Sequence, residues 1–177
     1  MKETATLGGG CYWCLEALYQ RIRGVSKVTS GYSGGHTENP TMQQVYGDDT
    51  GHAEVVQVEF DPSEITYREI LEIFWVMHDP TTLNRQGHDI GDEYRSVIFY
   101  ETDAQRETAE DMKNGFAREI WPDPIVTQIE PLEKYWPADE ANQDYFNKNP
   151  SAAYCQVIIN PKLAKLRQQF AKRFKAD

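Results

Sequence analysis

Thr6-Leu7-Gly8-Gly9-Gly10-Cys11-Tyr12-Trp13-Cys14-Leu15 is the stretch on which the fold turns. Glu3 to Leu7 reads as a short strand. Beyond the stretch, Leu15, Leu18, Tyr19 and Ile22 fall at helical spacing. The glycines at the junction imply close approach of something to the backbone. Cys11 is therefore placed where a strand turns into a helix N-terminus. Unpaired backbone N–H groups and the helix dipole stabilise an anion there. A thiolate is an anion and is the nucleophilic form of cysteine. The expectation is an activated thiol beside two aromatic rings.

Working outward, Val25–Tyr32 reads as a strand, and Ser33 to Gly51 as a long loop rich in Gly, Asn, Pro, Asp and Thr. A loop of that length in a compact domain is usually functional. Ala53–Phe60 alternates as a strand should, with Val56, Val58 and Phe60 on one side. Thr66 to His78 is an amphipathic helix stopped before Pro80. Asp79 to Glu93 is a second polar loop. Ser96–Tyr100 is a strand, Asp103–Ile120 a helix with Asp103 as N-cap, and Ile125–Ile129 a strand. Ala138–Asn147 reads as a short helix, Tyr154–Ile159 as an apolar strand, and Pro161–Phe174 as a helix. This order predicts an α+β fold, an α/β two-layer sandwich. Its core is a ferredoxin-like split βαβ with an extra C-terminal strand, helices and long loops. One domain is expected over residues 1–177. The two long loops are expected to meet at one end of the sheet, near the first helix N-terminus.

Charge narrows the partners. With 18 basic and 28 acidic residues the net charge is −10, which argues against nonspecific binding to nucleic acid or an anionic membrane. No apolar run approaches the roughly 20 residues of a membrane span. The N-terminal residues lack the basic and apolar regions of a signal peptide, so the expected compartment is the reducing cytoplasm. Three cysteines do not make a disulfide scaffold.

The C-x-x-C pair Cys11/Cys14 admits several readings. A zinc site needs four ligands and the pair supplies two; Cys155 lies in an apolar stretch with no ligand spaced nearby, so no metal is expected. A general thiol-disulfide oxidoreductase using the pair remains open. As buried small hydrophobes, Cys14 fits well, one turn into the helix, and Cys11 fits poorly.

The same residues carry a family resemblance. Gly10-Cys11-Tyr12-Trp13-Cys14 resembles the GCFWC signature of peptide methionine sulfoxide reductases of the A type. In order along the chain, Gly31-Tyr32-Ser33-Gly34-Gly35, Asn39-Pro40-Thr41 and Gly51-His52-Ala53-Glu54 are similar to that family's GYxGG, NPT and GHAE. So are His78-Asp79-Pro80-Thr81-Thr82, Arg85-Gln86-Gly87 through Asp89-Ile90-Gly91, Tyr94-Arg95-Ser96, Lys148-Asn149-Pro150 and Tyr154-Cys155 to its later blocks. The resemblance implies reduction of the S epimer of methionine sulfoxide, free or in oxidised proteins. It implies no bound cofactor, and thioredoxin (dithiothreitol in vitro) as reductant. A monomer is expected.

Roles follow residue by residue from that resemblance. Cys11 is the nucleophile, leaving a sulfenic acid, the first rung of cysteine oxidation; a second thiol then closes a disulfide that thioredoxin opens. Tyr12 and Trp13 wall the pocket for the S-methyl group, with Tyr12 where the family usually has Phe. Glu54 is the acid for the sulfoxide oxygen, its pKa raised by an apolar pocket. Tyr94 donates to the same oxygen, and Asp89 orients the substrate. His52, His78 and Arg95 are expected to be structural. Met42 stands where the family commonly has a second tyrosine. A thioether cannot donate a hydrogen bond, so slower reduction is expected unless Tyr46 substitutes. Cys155 is the first choice for the resolving thiol and Cys14 the alternative. A non-catalytic sulfoxide-binding module is conceivable only because of Met42.

Overall fold

A computed structural model of the chain describes residues 2–47 and 49–175. Asp48, within the loop expected over 33–51, lies outside the described residues, as do Met1 and the last two. The strands are β1 (Glu3–Gly8), β2 (Val25–Ser33), β3 (Ala53–Phe60), β4 (Arg85–Gln86), β5 (Asp89–Ile90), β6 (Val97–Tyr100), β7 (Gln128–Pro131) and β8 (Tyr135–Pro137). The helices are α1 (Tyr12–Tyr19), α2 (Met42–Tyr46), α3 (Tyr67–Met77), α4 (Asp103–Asn114), α5 (Phe116–Ile120), α6 (Tyr145–Lys148) and α7 (Asn160–Phe170). Together they make an α+β fold around one mixed six-stranded sheet, in the order β7-β6-β1-β3-β2-β8. β4 and β5 pair separately as a small hairpin.

Antiparallel pairing of β1 with both β3 and β6, and of β3 with β2, builds the centre of the sheet. Strand alternation sends Ala5, Leu7, Val56, Val58, Phe60 and Ile98 to the face covered by α1 and α3, where the main core forms. Val55, Val97 and Phe99 pack on the other face with Leu132 and Tyr135. α3 is well specified: Thr66 and Glu69 form a reciprocal capping box, and Ile70, Ile73, Phe74 and Met77 are buried at helical spacing. Burying a side chain such as Phe74 contributes about 2–3 kcal/mol.

Several expectations are corrected. The extra C-terminal strand over Tyr154–Ile159 is not formed: Cys155–Ile159 is a π-helical turn running directly into α7. Its β-branched residues favour a strand, but Cys155 and Ile159 are buried and Val157 is exposed, a spacing that only a helix satisfies. The outer edge beside β2 belongs instead to β8, which the sequence reading missed. The strand expected over Ile125–Ile129 lies slightly later, as β7, parallel to β6. The helix expected over Asp103–Ile120 breaks at Gly115 into α4 and α5, and Thr102, not Asp103, is its N-cap. The loop expected over 33–51 contains α2, closed at its start by a Thr41–Gln44 capping box. The short helix expected over Ala138–Asn147 is reduced to a 3-10 turn at Glu140–Asn142 followed by α6.

The two long loops do meet. Arg95, just past the second loop, donates from Nη1 to the Asp92 carbonyl in that loop at 2.9 Å and from Nη2 to the Gly51 carbonyl in the first at 3.1 Å. The Gly10 amide, at the entrance to α1, donates to the Tyr94 carbonyl at 3.2 Å. Among the described residues no helix is long and apolar enough to cross a membrane.

Candidate active site

The glycine run explains the junction. A Cβ on Gly9 would sit 2.9 Å from the His78 ring, and one on Gly10 would sit 2.7 Å from the Gln86 side chain. Gly10 also has φ +91°, where a side chain would be strained. His78 is fixed from both ring nitrogens, by the Phe74 carbonyl and by the Ser96 hydroxyl at 2.7 Å. Burial pushes its pKa down to about 4. His52 meets the Gly35 amide at 3.0 Å and the Thr37 carbonyl at 2.7 Å, and Arg95 ties the loops together, so these three side chains brace the site.

Cys11 is the N-cap of α1, as the strand–helix junction predicts, and is 6 % exposed. Its thiol, however, is not held as a thiolate. Burial pushes its pKa well above the ordinary value, and Glu54 and Cys14 add to the shift. The Trp13 amide pulls the other way, without the alignment of a capping hydrogen bond. Desolvation disfavours the charged form over the whole thiol, and here it outweighs the helix end.

Glu54 sits at the start of β3 on the same face as Val56 and is fully buried. One oxygen accepts the Tyr12 amide at 3.1 Å; the other has no hydrogen-bond partner. Burial raises the carboxyl pKa to about 8, the Tyr12 amide partly offsets this, and Glu93 and Asp89 raise it further. At neutral pH it is mostly a neutral acid with a bare oxygen.

Phenols surround this carboxyl. Tyr32 is directly opposite Glu54 across the β2–β3 pair, so the two side chains share a face. The Tyr32 and Tyr12 hydroxyls are 2.7 Å apart, which satisfies the hydroxyl that Tyr12 carries. Burial and then Glu54 hold the Tyr94 and Tyr46 phenols above their usual range; Cys11 also contributes to both, and Tyr94 to Tyr46. Tyr46, 43 % exposed, is thus within electrostatic reach of Glu54, Tyr94 and Cys11.

Trp13 is stacked on Tyr145, centroids 3.7 Å apart and planes at 6°. Its Nε1 donates to Asn142 Oδ1 at 3.2 Å, and the Asn142 amide donates in turn to Met42 Sδ at 3.6 Å. Met42 therefore joins the wall around Trp13 as an acceptor. Buried Glu16 of α1 holds this wall in place by accepting the Asp144 and Tyr145 amides at 2.9 and 3.2 Å.

A cavity of about 480 Å³ opens on Cys11, lined by Gln86, Asp89, Tyr154, Ile158 and Lys162 among others. A larger hollow of about 550 Å³ beside Arg23 and Phe170 holds none of the site residues. In the Cys11 cavity the Tyr154 hydroxyl donates to Asp89 Oδ2 at 2.9 Å and lies 3.5 Å from Cys14 Sγ. Cys155 is on the same helical stretch, but neighbouring residues point about 100° apart on a helix, and its thiol is buried in the core. Burial alone shifts it, whereas the Cys14 thiol is also in the field of Lys162, Asp89 and Glu54.

The fold thus brings together Cys11, Glu54, Tyr94, Tyr46 and Tyr12, with Trp13 and Met42 alongside, Asp89 at the cavity, and Cys14 buried behind the Tyr154 hydroxyl. It leaves Cys155 apart. Tyr32, Asn142, Tyr145, Tyr154 and Lys162 went unassigned in the sequence; for Tyr32 and Tyr154 the signal was their place inside the GYSGG and YC blocks. Among the described residues no cluster of three or more His, Cys, Asp or Glu could hold a metal ion.

Comparison with known proteins gives a consistent result. A family model described as peptide methionine sulfoxide reductase matches residues 3–174. A relative from Haloquadratum walsbyi, "Peptide methionine sulfoxide reductase MsrA", is 53 % identical over 173 residues, covering 98 % of this chain and 99 % of its own. Among solved structures, Mxr1 from Saccharomyces cerevisiae in reduced form superposes with a TM-score of 0.80 at 36 % identity, over 87 % of this chain and 89 % of that one. Mxr1 in complex with Trx2 superposes with a TM-score of 0.57 at 27 % identity, over 80 % and 83 %.

Proposed function

The chain belongs to the peptide methionine sulfoxide reductase family, and from that premise we propose the following division of roles in its reduction of methionine sulfoxide. The Cys11 sulfur attacks the sulfoxide sulfur of the S epimer. Glu54 gives its proton to the sulfoxide oxygen, with the Tyr94 and Tyr46 phenols donating to the same atom. Oxygen passes to Cys11, methionine leaves, and the thiol's own proton ends on Glu54. Thiol and sulfoxide have become sulfenic acid and thioether. Trp13, backed by Tyr145, walls the side of the substrate.

The observation that carries this reading is the buried Glu54 carboxyl, its pKa raised to about 8 and one oxygen unpartnered, beside the Cys11 thiol. The neutral acid answers the difficulty of a raised thiol pKa, because protonating the oxygen draws the nucleophile in and the two proton movements offset each other.

Cys14 is the resolving thiol in this reading, in preference to Cys155. Three residues along a helix put side chains on neighbouring positions, and Cys14 alone of the two shares the electrostatic surroundings of Cys11. A thioredoxin-type dithiol is the recycling partner, supported by the relative Mxr1, which is captured with Trx2. Cys11, the thiol that would have to meet a protein disulfide, is only 6 % exposed, which speaks against a general disulfide oxidoreductase. One catalytic domain, monomeric and cytoplasmic, completes the proposal. The spatial order β6-β1-β3-β2 supports reading its core as the ferredoxin-like split βαβ.

The test is consumption of separated methionine sulfoxide epimers with dithiothreitol by the parent, Cys11→Ser and Glu54→Gln. The parent should consume the S epimer, C11S neither epimer, and E54Q the S epimer at least a hundredfold more slowly. Parental turnover by C11S would overturn the assignment. Insulin disulfide reduction without sulfoxide would favour the general oxidoreductase.

A further inference from the structure

The Cys14 thiol has a difficulty that the Cys11 chemistry does not solve. It is 1 % exposed, and burial raises its pKa, which disfavours the thiolate that must attack. Yet it is not isolated. The Tyr154 hydroxyl is 3.5 Å from its sulfur and donates to Asp89 Oδ2 at 2.9 Å. A phenol has one proton. With that proton on Asp89, the oxygen faces Cys14 as an acceptor, and the series runs one way, S–H to O–H to carboxylate. The Lys162 side chain lines the same cavity and favours a negative sulfur at Cys14.

We propose that Tyr154 and Asp89 form a proton relay that activates Cys14 for its attack on the sulfenic acid of Cys11. The inference rests on the reading of Cys14 as the resolving thiol. In the step, a sulfur–sulfur bond forms between Cys14 and Cys11 and the sulfur–oxygen bond of the sulfenic acid breaks. The Cys14 proton moves to the Tyr154 oxygen while the proton of Tyr154 moves to Asp89 Oδ2. The departing hydroxide takes the Glu54 proton and leaves as water; Asp89 and Glu54 then re-equilibrate with solvent. Cys14 is oxidised from thiol to disulfide and Cys11 is reduced from sulfenic acid to disulfide, so no outside oxidant is needed. After transfer the Tyr154 hydroxyl donates to the sulfur it has just deprotonated, stabilising the attacking thiolate.

The experiment is a single turnover of the full chain with one equivalent of methionine sulfoxide and no external reductant. Released methionine, sulfenic acid trapped by dimedone, and the disulfide mapped by mass are followed in light and heavy water. In Tyr154→Phe, disulfide formation should slow at least tenfold relative to methionine release in the same variant. Sulfenic acid should accumulate. The parent should show a solvent isotope effect on disulfide formation, and in the variant it should shrink to the part contributed by the Glu54 proton, a change that a purely packing role for Tyr154 would not produce. Formation of the Cys11–Cys14 disulfide at the parental rate and isotope effect would overturn the relay. If Tyr154→Phe fails to fold, Asp89→Asn, which keeps the volume but cannot take the proton, decides by the same criteria. A disulfide joining Cys11 to Cys155 would instead overturn the underlying reading.

Discussion

Glu54 has one oxygen tied to a backbone amide and the other bare, and the pH dependence of the enzyme follows from that pair of facts. With a carboxyl pKa of about 8, the acid form needed for oxygen protonation is lost as pH rises, so kcat/KM should fall through about pH 8. In Glu54→Gln that alkaline limb should disappear along with most of the activity; an unchanged limb would assign it to another group. Met42 tests the phenols. If Tyr46 already supplies the second donor, Met42→Tyr should raise the single-turnover rate less than threefold, whereas Tyr46→Phe should lower it by about a hundredfold or more, the scale of one lost donor. A large gain from M42Y would mean that the parent lacks the donor. Cys11 and Glu54 stood out as candidates in short motifs because one follows a glycine run and the other sits at a strand start. The charge state of Cys11 was not, because a helix end acts over one turn while desolvation depends on everything folded above the thiol. Tyr32 and Tyr154 sat inside recognisable blocks, but their places in the site were not readable there, because one is set by cross-strand register and the other by the phase of a helix.

At the scale of elements, the C-terminal stretch from Tyr154 to Phe170 carries the proposed preference for Cys14 over Cys155. A helical phase aims Tyr154 at the cavity and Cys155 into the core; the expected strand would have placed them on opposite faces of a sheet. Cys155→Ser should therefore leave recycling by thioredoxin intact while destabilising the fold by about 1–3 kcal/mol, the range for a hydroxyl buried without a partner. Loss of recycling with the fold retained would restore Cys155 as resolver. The well-patterned elements, β3 and α3, were readable because one side of each is buried and the period shows. The run Gln156-Val157-Ile158-Ile159 has strand-forming residues in a helical context, and only packing of Cys155 and Ile159 against the rest of the chain settles it. β8 was invisible for the opposite reason: three residues are too few to show a period.

For the whole molecule, two buried titratable groups oppose each other. Glu54 is raised from its ordinary 4.5 to about 8, so the stability it confers as a neutral acid is complete below pH 4.5 and is lost as pH rises to about 8. His78 is depressed from 6.5 to about 4, so its contribution is complete above pH 6.5 and is lost as pH falls to about 4. Above pH 6.5 only the first acts, and unfolding free energy should drop by about 2 kcal/mol between pH 6.5 and 8. Denaturant titrations of the parent and Glu54→Gln check this: the variant should be flat over that range and overtake the parent at the alkaline end. The stacked Trp13–Tyr145 pair has an optical corollary. An indole lying flat on a phenol, with its N–H on Asn142 and sulfur nearby, is a built-in fluorophore placed on the very wall that each catalytic cycle disturbs. Its emission should therefore step once when Cys11 takes oxygen and again when the disulfide closes, so that unlabelled enzyme can be watched through a turnover by its own light.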